Sequence, residues 1–135
     1  MEIIDNFLGR WALLPEQANY EFGVSPFSGT YEIIKEGETL TFNMDWVDSE
    51  GKAQSMSYSE ICDGKFHEMK ITSIADELCL SLKSSTILQS IAKKNDEVIL
   101  SATRELITPN TLKVTMSGTL PEQGSYNNVS IYTKL

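Results

Sequence analysis

A single histidine, His67, and two cysteines, Cys62 and Cys79, are all that this 135-residue chain offers to a soft metal or a redox centre. One imidazole excludes a histidine-rich metal site, and no run of Cys, Asp or Glu has the spacing of a mixed one. No metal and no cofactor are therefore expected. The cysteines form no CxxC pair and are expected to be free, inert thiols rather than a disulfide. Basic residues are also scarce. Eleven Lys and Arg stand against nineteen Asp and Glu, for a net charge of -8 and a pI of about 4.6. Nucleic acids and anionic membrane surfaces both need a basic patch, so neither is an expected partner. No apolar run reaches the length of a membrane span. The opening "MEIIDNFLGRW" has neither the basic start nor the apolar core of a signal peptide, so a cytoplasmic location is expected. Without a secretion signal, the sequon Asn128-Val129-Ser130 has no expected role. There is no Gly-rich phosphate loop, HExxH or paired-carboxylate motif.

What the chain does have is alternation. Apolar residues make up 41% of it and charged ones 22%, and its size suits one domain, residues 1–135, with a core of its own. In "ETLTFNMDWVD" Leu40, Phe42, Met44 and Trp46 face one way, and Thr39, Thr41, Asn43 and Asp45 the other. A half-buried strand needs that period because successive side chains point to opposite faces. "SEGK", "CDGK" and "KKND" read as turns, and "AQSMSYSEI", "FHEMK", "DELCLSLK", "STILQSIAK" and "LKVTMSG" as strands between them. With "FLGRWALL", "SGTYEIIKEG", "VILSATRELI" and "NNVSIYTKL" the total is about ten strands joined by short turns. No segment has the period of an amphipathic helix. The expected fold is all-β: a single closed up-and-down antiparallel barrel of about eight to ten strands, since closure removes the exposed edges. The longer connection, residues 15–27, would border its mouth.

"FLGRW" resembles the Gly-x-Trp signature of the calycins, the lipocalins and intracellular fatty-acid-binding proteins. "TRELITPNTLKVTMSG" with "VSIYTKL" resembles the last three strands of the fatty-acid-binding proteins. The chain as a whole, through "GRWALLPEQANYEFGVSPFSGTYEI", "MDWVDSEGK", "CDGK" and "NNVSIYTKL", is similar to a bacterial lipocalin-like family of unassigned function. The resemblance implies a calycin barrel in which Gly9 and Trp11 are structural, with Trp11 plugging the base. It also implies a carboxylate site to which Arg104 and Tyr132 would correspond, although Ser130 stands where those binding proteins carry a second arginine. Residues 15–27 are too short for their helical lid.

Arg104 is the residue that asks for an explanation. It shares a face with Val98, Leu100, Ala102 and Leu106. A charge buried alone costs several kcal/mol, so a partner is required. Three remain open: the ring of Trp11, as in many calycins; Glu60, on the face of Met56 and Tyr58; or the anionic head of a ligand. Trp46 and Tyr58 could line a pocket, as could Met44, Met56 and Met116. Tyr132 could point either way. His67 is expected to be solvated, and Cys62 has no evident His partner for nucleophilic work. The leading expectation is non-enzymatic binding of a small hydrophobic molecule, acidic or neutral, by a monomer or homodimer. The alternatives are a small isomerase or lyase using Arg104 electrostatically, and a ligand-free structural or interaction module.

Overall fold

The structure, a computed structural model, describes residues 3–69, 75–120 and 124–135. A 3-10 turn, Ile3–Phe7, leads into eleven strands: β1 Gly9–Leu13, β2 Asn19–Tyr20, β3 Ser28–Glu36, β4 Thr39–Val47, β5 Ala53–Ile61, β6 Phe66–Glu68, β7 Glu77–Ser84, β8 Ile87–Lys94, β9 Glu97–Thr108, β10 Thr111–Leu120 and β11 Gly124–Lys134. The strands lie in the order β5-β4-β3-β1-β11-β10-β9-β8-β7-β6, with β2 added on β11. Every pairing is antiparallel. The all-β antiparallel barrel anticipated from alternation is the fold found. Lys70, the last residue of the expected strand 66–70, lies outside the described residues. Among those residues no helix is long and apolar enough to cross a membrane.

Three details differ from the expectation. The barrel is nearly closed rather than closed, because β5 and β6, at the two ends of the path, are not paired. β6 is three residues long and cannot zip against all of β5. The turn of residues 62–65 straddles this seam instead: Cys62 N–H donates to Glu38 O and Gly64 N–H to Leu80 O. The strand count rises to eleven because residues 19–20 pair with Asn128 and Val129. Finally, Val98 is 56% exposed. A register shift between Ala92 and Lys93 takes the β8 partner from Leu100 to Val98, so Ile99 rather than Val98 packs on the core.

Turn chemistry follows the residues. Asn95 and Asp96 both take positive φ, 53° and 64°, the two-residue hairpin geometry whose twist matches the strands. Gly9 sits at φ 118°, a conformation that strains any side chain. It lets β1 turn out of the 3-10 segment directly into its pairings with β3 and β11.

The interior has two halves. At the base, Phe7, Trp11, Ile33, Leu40, Phe42, Leu80, Leu88 and Leu112 are shut off from solvent and form one cluster. Trp11 Nε1 donates to Phe7 O at 3.1 Å, and Lys134 Nζ lies 5.3 Å from the indole centre. Trp11 is fully buried in this cluster, and the cation over its ring is Lys134 and not Arg104. Toward the other end the core thins out, and the segment after β1 crosses there. Asn128 clamps that segment: its Oδ1 accepts from Glu21 N–H and Phe22 N–H, and its Nδ2 donates to Phe22 O. Phe22 tilts onto Tyr126 at 5.4 Å.

Candidate functional site

The upper half encloses a cavity of about 240 Å³ lined by residues of both sides of the barrel, among them Met44, Met56, Tyr58, Leu78, Ala92 and Met116. It exists because the inward rows change composition along the strands. Where the base has Leu88 and Leu106, the inward residues of β8 and β9 beyond Arg104 are Ser90, Ala92 and Ala102. Small side chains at facing positions leave a void that the large ones below do not.

Arg104 is its floor. The side chain is 2% exposed. Nε donates to Tyr31 Oη at 2.7 Å, Nη1 to Ser90 Oγ at 2.7 Å and Nη2 to Tyr58 Oη at 2.8 Å. The guanidinium carbon lies 4.4 Å from the centre of the Phe42 ring, which itself stacks on Tyr58 at 4.9 Å. Neither Trp11 nor Glu60 is a partner, so both protein partners anticipated for the charge are replaced by three neutral hydroxyls and an aromatic face. Burial opposes the charge on Arg104, but Tyr31 and Tyr58 outweigh it and hold the guanidinium protonated above its ordinary range. Burial drives the Tyr31 hydroxyl well above the usual tyrosine value, against the pull of Arg104.

The remaining candidates divide. Met44, Met56, Met116 and Tyr58 line the cavity with Arg104. Trp46 does not: it continues the inward row past Met44, but lies against a separate open hollow with Gly29 and Gln54. Tyr132 packs edge-on to Tyr31 at 5.5 Å, below the cavity. Burial pushes its hydroxyl up to about 12, with Tyr20 adding to the rise and Arg104 and a bond to Ser130 opposing it. Ser130 is buried and is met by Tyr20 Oη at 3.1 Å. His67 is not simply solvated. Its Nε2 meets the Asp63 carboxylate at 2.9 and 3.0 Å, and that bond holds Asp63 below the usual carboxylate range. Cys62 and Cys79 are free thiols, and burial raises that of Cys62. Among the described residues no group of three His, Cys, Asp or Glu could hold a metal.

Glu60 is buried on the inner face opposite Leu40. Burial raises its pKa, more than a bond from Ile61 N–H and the nearby His67 lower it. A carboxyl with a raised folded pKa stabilises the fold fully only below the unfolded value of about 4.3, and that stability is lost as pH rises through the folded value. Glu60→Gln should therefore raise the thermal midpoint at pH 7. The gain should vanish below about pH 4. A gain that persisted at pH 3 would point to packing instead of charge.

Two residues of the floor, Tyr31 and Ser90, went unremarked in the sequence, although their signal was present. Each is a hydroxyl in an otherwise apolar alternation: Tyr31 with Ile33, and Ser90 between Leu88 and Ala92. That is the same anomaly that singles out Arg104.

No family model and no curated protein sequence matches the chain. Solved structures do resemble it in fold. A zebrafish ileal bile acid-binding protein complexed with cholic acid superposes with a TM-score of 0.61 at 18% identity, over 96% of this chain and 99% of that one. The structure EF1p2_mFAP2b bound to DFHBI gives a TM-score of 0.61 at 9% identity, over 98% and 97%. Identities this low establish a shared barrel architecture, of the kind seen in fatty-acid- and bile-acid-binding proteins.

Proposed function

We propose that this protein is a non-enzymatic binder of one small apolar molecule with an acidic head, the head resting on Arg104 and the body filling the cavity above it. The observation that carries the reading is a buried guanidinium whose hydrogen-bond partners are all neutral. Among the described residues no carboxylate pairs with it. A guanidinium has five N–H donors, and three are engaged. Each hydroxyl that accepts from Arg104 still has its own O–H to donate. The floor therefore offers donors and positive charge but no anionic acceptor, which a ligand carboxylate supplies through charge-assisted bonds. The methionines and leucines above it suit an adaptable apolar body.

The zebrafish protein complexed with cholic acid and the barrel bound to DFHBI support binding in a barrel of this shape. The enzyme alternative is less well supported. Tyr31 and Tyr132 hold their protons tightly and Arg104 stays charged, so these groups donate hydrogen bonds but do not take up protons near neutral pH. The open upper half speaks against the ligand-free module. Free Cys62 and Cys79 suit a reducing, cytoplasmic setting. The positive φ of Gly9 and the burial of Trp11 support kinship with the bacterial lipocalin-like family.

Titration calorimetry with octanoate and octanol tests the reading. Wild type should favour octanoate. Arg104→Met should weaken octanoate by about 30-fold or more, the scale of truncating a buried charged hydrogen bond, and leave octanol within about three-fold. Equal losses for both would remove the acid head from the reading.

A further inference from the structure

We infer that Ser90, Ala92 and Ala102 set the size of the ligand, limiting the buried part to about eight carbon-sized groups. This deepens the proposed function and rests on the cavity being the ligand site. The cavity measures about 240 Å³. At about 30 Å³ for a group the size of a water or methylene, it holds about eight of them. It is larger than the ~150 Å³ void that accepts benzene and smaller than the ~300 Å³ at which drug-sized pockets begin.

The lower limit of the cavity is fixed. Arg104 and its bonds to Tyr31, Tyr58 and Ser90, with Phe42 stacked on Tyr58, form a continuous layer across the barrel. Beneath that layer Leu80, Leu88 and Leu112 are fully buried and leave no solvent access. A chain with its head on Arg104 can only extend upward, where Met116 is 37% exposed. Its first part is covered by protein and the rest emerges into water. The depth of the covered part is decided at β8 and β9, where Ala92 lies among Met69, Ala75, Leu78 and Leu100 and Ala102 pairs with Ser90 and Met116. Both alanines line the cavity, so a larger residue at either would take up part of it.

The test is a calorimetric series of straight-chain carboxylates from butanoate to tetradecanoate, with the matching alkanols in parallel. Each methylene that enters the cavity should tighten binding about four-fold. The gain should stop near eight carbons, because later methylenes stay in water. In Ala92→Leu, three further carbons fill the void, and the break should move to about five. Ala102→Leu is the second variant if Ala92→Leu proves unfolded by circular dichroism, and it should shorten the series likewise. Affinity that keeps rising through tetradecanoate, or a break unmoved in a folded variant, would overturn the inference. If the alkanols break near eight carbons while the acids do not bind, the size limit stands and the acid-head reading fails. If neither series binds, both fail.

Discussion

Trp11→Ala should lower the unfolding free energy by about 3–5 kcal/mol, the range for removing a large aromatic side chain from a core, read as a drop in urea midpoint at unchanged slope. The ring is fully buried and belongs to the base cluster with Ile4, Phe7 and Leu112. Its loss leaves a cavity, and it also leaves Phe7 O without the Nε1–H that it accepts from. The 3-10 turn of residues 3–7 is held to the barrel partly through that bond, so the cavity has little prospect of collapsing. Trp11→Phe separates the contributions. It keeps most of the packing and loses the hydrogen bond, and should cost about 1–2 kcal/mol. A loss below about 1 kcal/mol for Trp11→Ala would show that the ring does not hold the base together.

Arg104→Met should show the second large effect, with a sign that depends on its neighbours. Alone, it leaves the hydroxyls of Tyr31, Tyr58 and Ser90 buried without their donor, at about 1–3 kcal/mol each when no substitute is found. Part of that is returned, because a buried charge no longer has to be kept out of water. The net expectation is a loss of about 3 kcal/mol. Combining Arg104→Met with Tyr31→Phe, Tyr58→Phe and Ser90→Ala removes the orphaned hydroxyls as well. The four-fold variant should recover to wild-type stability or better, as apolar replacements of buried ionic groups do. Urea unfolding of the set is the measurement. Simple additivity of the four single losses would mean that the cluster is not a coupled unit.

Alternation made most of the fold legible. It identified β4, with Leu40 and Phe42 buried, and β5 over the same residues 53–61. It failed where pairing changes register: Val98 follows the period in sequence, but the bulge beside it reverses its face. β2 was invisible because two residues carry no period, and its place depends on side chains of Asn128 far along the chain. For the site, alternation located Arg104 and said that its charge needs partners. It could not identify them, because Tyr31 and Tyr58 come from strands 73 and 46 residues away. Hydroxyls answer the same need as a carboxylate without adding charge. Trp46 shares its period with Met44, but period fixes a face and says nothing of height along the barrel axis.

The strand order also says something about how the molecule comes together. β3, β4 and β5 form one run of neighbours, with β1 at its side, and β6 through β11 form another. Within each run the pairings join strands close in sequence. The two runs meet at the seam turn of residues 62–65 and through β1 and β2 on β11, the latter contacts of very high sequence separation. Such contacts are costly to form early, because a long loop must close before any bond repays it. Each run is built on contacts local in sequence, and joining the two through β11 costs the closure of a long loop. Arg104 belongs to one run and two of its three hydroxyl partners, Tyr31 and Tyr58, to the other. The floor of the cavity is thus assembled only when the two halves dock. A molecule that fills the cavity has no complete site in either half alone, so it stabilises the docked state by RT ln(1 + L/Kd), where L is its free concentration.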